Sequence, residues 1–183
     1  MVQYTSGSLT LAAPHDMFTK LTDGMSIAVN GVCLTAVGRT NPNLFRVEYM
    51  PETDKKTAIG TLKTGERVNL ELPVTTETLF AGHIVQGHVD DVATILSIED
   101  EGNSRIFTFR INRAIAKYLV NKGSITVNGI SLTVIHAERD TFSVGIIPHT
   151  WDNTMLHQTR KGDKVNIEVD IIAKYVEKLT QTK

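Results

Sequence analysis

The chain is written twice, and that repeat constrains its fold more than any other feature. Residues 26–37 read SIAVNGVCLTAV and residues 124–135 read SITVNGISLTVI, so seven of twelve positions are identical at an offset of 98. At an offset of 97 the likeness resumes with Val47, Pro51 and Thr53 against Val144, Pro148 and Thr150. It continues through GERVNLEL (65–72) against GDKVNIEV (162–169), while upstream LTLAAP (9–14) aligns with FTFRIN (107–112). The slip of one residue falls in the turns around Asn41-Pro42-Asn43 and Arg139-Asp140. A period near 97 residues is too long for a solenoid unit, which leaves two homologous small domains in tandem.

Within each copy the pattern is mostly strand. The repeated block is rich in Val, Ile and Thr and is broken by Asn-Gly, the strongest short-range hairpin signal. LFRVEYM, RVNLEL, TFSVGII and KVNIEV are short, β-branched and separated by turn residues. Residues 14–22 and 112–121 are each expected to form one short helix, and residues 73–82 read as a linker. The C-terminal DIIAKYVEKLTQTK places Ile171, Ile172, Tyr175, Val176 and Leu179 at helical spacing. This predicts an amphipathic helix with its lysines outward and its apolar side capping a barrel or, as the favoured reading, meeting another subunit. Many short strands with turn signals at this spacing predict an all-β protein of two small barrels. The expected domains are residues 1–80, 81–169 and a terminal helix over 170–183. The copies are unequal. HIVQGHVDDVATILSIEDEGNSRI precedes Phe107 and reads as about two strands and a hairpin, whereas only eight residues precede Leu9. The first barrel is therefore expected to be cut short by about 16 residues, with an unpaired edge.

Composition narrows the function classes. The 19 Lys and Arg balance 20 Asp and Glu, which argues against a general nucleic-acid binder. The longest apolar runs are too short to cross a bilayer. The N-terminus lacks a secretory pattern, and the single cysteine, Cys33, precludes an internal disulfide and fits a reducing cytoplasm.

Six blocks carry a family resemblance: SIAVNGVCLT (26–35), MPET (50–53), GHIVQGHVD (82–90), KGSITVNGISLT (122–133), IPHT (147–150) and VNIEVDIIAKYVEKL (165–179). In this order they resemble riboflavin synthase, over nearly the whole chain. The resemblance implies two six-stranded Greek-key barrels and a C-terminal helix that often assembles a homotrimer, although monomers occur. It implies a dismutation of two 6,7-dimethyl-8-ribityllumazine molecules, in which a four-carbon unit passes from one to the other. The products are riboflavin and 5-amino-6-ribitylamino-uracil, with no metal and no separate cofactor.

By motif, the family's contacts in the first barrel fall on Cys33, Leu34 and Thr35 and on Glu48, Tyr49, Met50, Pro51, Glu52 and Thr53. Gly87, His88 and Val89 complete that pocket, and Lys122 reaches in from a neighbouring chain. The second set is Ser131, Leu132 and Thr133 with Ile147, Pro148, His149, Thr150, Trp151 and Asp152. Ser26, His83 and Asp170 match further positions that the family implicates. The family's opening Met-Phe-Thr-Gly-Ile-Val strand, which helps form the second pocket, is absent. A chain without it is expected to bind substrate mainly in the first barrel and to turn it over weakly. Asp54 stands where the family usually has an apolar residue, and Ala81 where a glycine is usual.

The residues themselves say the following. A flat pteridine needs a slot with hydrogen-bonding groups at its edge and along its ribityl chain. Cys33 and Ser131 are repeat partners, each followed two residues later by Thr, so thiol or hydroxyl and Thr share one face of a strand. Taken alone, Cys33 is a core thiol. A serine at its partner position argues against pure packing and for a ligand-facing role, as nucleophile or as lining. His83 and His88, five apart, would fall on opposite faces of a strand and cannot chelate one metal. Either imidazole suits removal of a proton from the substrate's acidic methyl group, with His88 the better placed. Asn30-Gly31 and Asn128-Gly129 read as turns, Trp151 as packing, and His149 and His157 as surface residues.

Overall fold

In the computed structural model, residues 2–5, 7–40, 43–79 and 81–181 are described. Asn41 and Pro42, where the repeat offset slips, lie outside them, as do Phe80 of the linker and Thr182–Lys183 at the end. The first copy contributes β1 (Val2–Thr5), β2 (Ser8–Ala12), α1 (His15–Lys20), β3 (Ser26–Val29), β4 (Val32–Thr40), β5 (Leu44–Glu48), α2 (Pro51–Lys56) and β6 (Leu70–Glu71). The second contributes β7 (Asp91–Glu101), β8 (Ser104–Arg110), α3 (Arg113–Ala116), β9 (Ser124–Val127), β10 (Ile130–Ala137), β11 (Thr141–Ile146), α4 (Pro148–Asn153) and β12 (Lys164–Val169), followed by α5 (Ile171–Thr180).

Asn-Gly forms the β3–β4 and β9–β10 hairpins as expected. Asn30 and Gly31 have φ of 45° and 74°, and Asn128 and Gly129 have 48° and 84°. Positive φ at both central residues is what a type I′ turn requires. Each β4-type strand carries a bulge, at Ala36/Gly38 and again at Val134/His136. The matched core positions Leu9/Phe107, Leu11/Phe109, Ile27/Ile125, Val29/Val127, Phe45/Phe142, Val47/Val144 and Ile59/Leu156 are all buried. Leu9 and Leu11 are replaced in the second copy by the rings of Phe107 and Phe109, 5.9 Å apart, and Phe109 lies 4.9 Å from Phe142, the counterpart of Phe45.

Closure separates the copies. The second is a closed barrel, β10-β11-β8-β7-β12-β9, and the first is an open six-stranded sheet, β1-β2-β5-β4-β3-β6. Both follow the same Greek-key order. The register explains the difference. Val2 pairs with Leu11 as Ile95 pairs with Phe109, so β1 begins at the counterpart of Ile95. Asp91–Thr94, which bond β12 and close the second barrel, have no counterpart among the described residues. The β1–β2 hairpin has four residue pairs where β7–β8 has seven. Val68 and Leu70 are consequently half-buried where their counterparts Val165 and Ile167 are fully buried.

The two copies meet about a pseudo-twofold axis of asparagines. Asn69 Nδ2 donates to the Asn128 carbonyl (3.0 Å) and Asn166 Nδ2 to the Asn30 carbonyl (2.8 Å). Asn69 Oδ1 accepts from Met155 N (2.8 Å) and Asn166 Oδ1 from Ala58 N (2.6 Å). The turns touch back to back: a Cβ on Gly31 would lie 2.5 Å from Gly129 N. Both asparagine motifs are thus turn and interface chemistry.

Three expectations are corrected. Residues 82–90 form no strand but an extended segment, because they span between the copies instead of joining one sheet edge. The strand expected over 67–72 shrinks to Leu70–Glu71, since one neighbour is missing. The two Pro-x-Thr motifs open α2 and α4, with proline in the first turn where its missing N–H costs nothing. Helix α5 is turned round. Lys174 reaches in to Asp90 (2.6 Å), and Glu177 takes hydrogen bonds from Lys117 and Tyr118. Ile172, Tyr175, Val176 and Leu179 are left 54–75% exposed. Charged and polar partners on the barrel set that rotation, which a hydrophobic pattern cannot foresee. No helix is long and apolar enough to cross a membrane among the described residues.

Candidate active site

Alternation on β3 and β4 drives Ile27, Val29, Val32 and Leu34 into the core and leaves Ser26, Ala28, Cys33 and Thr35 on the outer face. Cross-strand pairing sets Ser26 opposite Thr35 and Ala28 opposite Cys33. Glu71 of β6 stands opposite Ala28. The linker then crosses this face. The Gly87 carbonyl accepts from Cys33 N at 2.9 Å. With φ of 77°, Gly87 comes so near that a Cβ on it would lie 2.7 Å from the Cys33 Cβ. Ser26, Cys33, Glu71, Leu72–Val74 and Val85–Gly87 enclose a cleft of about 310 Å³, which is within the size range of small-ligand sites. Partial desolvation at the cleft wall raises the Glu71 carboxyl above its ordinary value.

Of the residues assigned to this pocket, Cys33, Thr35, Glu48 and Gly87 come together, with Ser26 opposite Thr35. Glu48 pairs with Thr35 across β4–β5 and is ion-paired to Arg46 at 3.1 Å. Tyr49 and Met50 lead into α2, where the Met50 carbonyl accepts from Thr53 N (2.9 Å), with Pro51 and Glu52 exposed on the first turn and Thr53 half-buried. Leu34 is 5% exposed and points into the core, so only its backbone faces the cleft side. Val89 packs against the first core, and His88 is exposed just outside the lining residues. Lys122, with φ of 67°, sits at the start of β9 beside Ser124, outside the first cleft of its own chain.

The second face repeats the first with Ser124, Thr126, Ser131 and Thr133, but the linker covers it differently. His83 Nδ1 lies 2.8 Å from Ser131 Oγ and Nε2 lies 3.0 Å from Thr126 Oγ1. A Cβ on Gly82 would lie 2.6 Å from Ser131 Oγ. Desolvation lowers the His83 pKa, and the nearby Asp170 and Glu168 carboxylates oppose that shift. Asp170 also caps α5 by accepting from Ile172 N (2.9 Å). Thr133 is open and Leu132 packs on the core. Ile147 is exposed ahead of Pro148, His149 is exposed, Thr150 is half-buried and Asp152 faces a groove between the two copies. Trp151 packs on Phe107 (6.1 Å) beneath the Arg105 guanidinium. Its repeat counterpart is Asp54, whose Oδ1 is buried with no hydrogen-bond partner among the described residues.

The described side chains thus form two equivalent hydroxyl- and thiol-bearing faces. A model of the lumazine binding domain matches residues 3–73 and again 86–170. The chain is 45% identical over 153 residues to riboflavin synthase of Bacillus subtilis (strain 168), covering 84% of this chain and 71% of that protein. It belongs to the riboflavin synthase family. The yeast (Saccharomyces cerevisiae) riboflavin synthase is 43% identical over 93% of this chain and 74% of its own length. Among solved structures, LumP complexed with riboflavin superimposes with a TM-score of 0.83 over 92% of both chains, at 22% identity. LumP complexed with 6,7-dimethyl-8-(1'-D-ribityl) lumazine gives 0.80 at 22% identity over the same shares. At that identity the likeness bears on the fold, and the enzyme family rests on the synthase relatives. Sequence reasoning missed Glu71 and Glu168, although the repeat marks them as partners in VNLE and VNIE.

Proposed function

We propose that the protein is a riboflavin synthase that converts two molecules of 6,7-dimethyl-8-ribityllumazine to riboflavin and 5-amino-6-ribitylamino-uracil. The observation that carries this reading is the duplication of one outward constellation, Ser26–Cys33–Thr35 and Ser124–Ser131–Thr133, in a member of this family. A reaction between two identical molecules calls for two similar binding faces. The first cleft offers the Cys33 thiol, the Ser26 hydroxyl and the linker backbone at Gly87 to a flat heterocycle. At the second face desolvation lowers the His83 pKa and its Nδ1 lies 2.8 Å from Ser131 Oγ, so the pair relays a proton from the substrate's acidic methyl group. Lys122 and the outward apolar face of α5 serve contacts between chains, in a homotrimer of a cytoplasmic enzyme. The reading takes no metal and no separate cofactor.

The test is direct. Purified protein given 6,7-dimethyl-8-ribityllumazine should generate riboflavin fluorescence with one pyrimidine formed per riboflavin. Tight binding without riboflavin formation would instead make it a lumazine carrier.

A further inference from the structure

Glu168 is a buried carboxylate that the reaction scheme leaves without a task. It is 3% exposed although its place in β12 puts it on the outward side, opposite Val165, Ile167 and Val169. The linker covers it. Oε1 accepts from Gln86 N at 2.8 Å and Oε2 from Gly87 N at 2.9 Å, so each carboxylate oxygen holds one backbone amide. The chain between the two faces is short. Gly82 and His83 lie on Ser131 and Thr126, and Gly87 lies on Cys33, with Glu168 pinning the far end. Thr126, which His83 touches, is itself the cross-strand neighbour of Glu168. Among the described residues the repeat counterpart Glu71 takes no such amides, and it lines the first cleft. The buried carboxylate therefore belongs to the strap and not to a motif shared by both copies.

We propose that Glu168 is a positioning residue: its carboxylate fixes residues 83–87 as a strap that sets the Gly87 backbone against Cys33 in one face and His83 against Ser131 in the other. This rests on the synthase reading for its consequence in turnover, but the geometry predicts two effects that need no turnover. Cys33 is exposed beside the strap, so releasing Gly87 widens the approach to its thiol, and it removes one wall of the lumazine cleft.

Glu168→Gln keeps the side-chain volume and sacrifices one acceptor and the charge. It should raise the rate of Cys33 modification by an aromatic disulfide reagent severalfold, at most about the tenfold of one charge-assisted hydrogen bond because the thiol is already exposed. The same variant should raise the Kd for 6,7-dimethyl-8-ribityllumazine by about the same factor. KM should rise with it, more than kcat falls. Cys33 is the chain's only thiol, so the first signal is unambiguous. Ile95→Val, a core change of comparable melting temperature, should leave both readouts alone. Wild-type thiol reactivity and affinity in folded Glu168→Gln would overturn the proposal. Should that variant fail to fold, amide exchange in the wild type decides. Gln86 and Gly87 amides as protected as those of β12 support the strap, and exchange at the rate of exposed loops overturns it. Absence of turnover in the wild type, with these readouts intact, counts against the synthase reading alone.

Discussion

Asn166→Ala is the sharpest probe of how the two copies are joined. The side chain is 2% exposed and makes two hydrogen bonds across the interface, Nδ2 to the Asn30 carbonyl at 2.8 Å and Oδ1 from Ala58 N at 2.6 Å. Alanine removes both and leaves a carbonyl and an N–H buried without partners. At about 1–2 kcal/mol for each group left unsatisfied, the loss is about 2–4 kcal/mol. That is a large share of a typical total of about 5–15 kcal/mol. Asn69→Ala breaks the symmetry-related pair, but Asn69 is only half-buried and lines the groove between the copies. Water can replace its bonds there, so its loss should be about half as large. Urea unfolding followed by far-ultraviolet circular dichroism measures the whole chain, and fluorescence of Trp151, the lone tryptophan, reports the second barrel. In Asn166→Ala the midpoints should fall and the two probes should separate, because the closed barrel outlasts the open sheet once the clamp is gone. Coincident curves within about 0.5 kcal/mol of wild type, the scatter of neutral surface changes, would refute the reasoning.

Further outcomes follow from single contacts. Asp54→Leu removes a buried acceptor with no partner and supplies the apolar residue that Trp151 provides in the other copy, so it should stabilise the protein by about 1 kcal/mol in thermal unfolding. Gly87→Ala demands a positive φ and a Cβ 2.7 Å from Cys33, and it should cut lumazine affinity, read by fluorescence titration, by about tenfold or more. The folded pKa of His83 is lowered by desolvation. Its contribution to stability is therefore complete above its ordinary pKa of about 6.5 and is lost as pH falls from there towards the folded value. Denaturation midpoints between pH 7.5 and 5.5 should flatten in His83→Gln, and an unchanged slope would exclude that assignment. Val176→Glu on the outward face of α5 should lower the solution mass in sedimentation without lowering the melting temperature, because that residue is 54% exposed in its own chain.

Much of this protein is legible in its sequence, because strand alternation and Asn-Gly turns are local. The doubled block alone gives two sheets of one topology, the hairpins at Asn30-Gly31 and Asn128-Gly129, the outward faces carrying Cys33 and Ser131, and a first copy short of strand. The family's motifs add which of those residues to expect at the ligand. What the sequence could not supply depends on contacts between distant segments. It placed His83 and His88 on one strand, whereas the linker is extended between the copies, with His83 locked on Ser131 and His88 exposed. It turned the lysines of α5 outward, whereas Asp90, Lys117 and Tyr118 on the barrel draw Lys174 and Glu177 inward and leave the apolar side open. It passed over Glu168, because a carboxylate in a strand looks solvated until a segment 81 residues away lays its amides on it. Periodicity records which side of an element is apolar, and only the folded chain decides which polar groups are desolvated and must find partners.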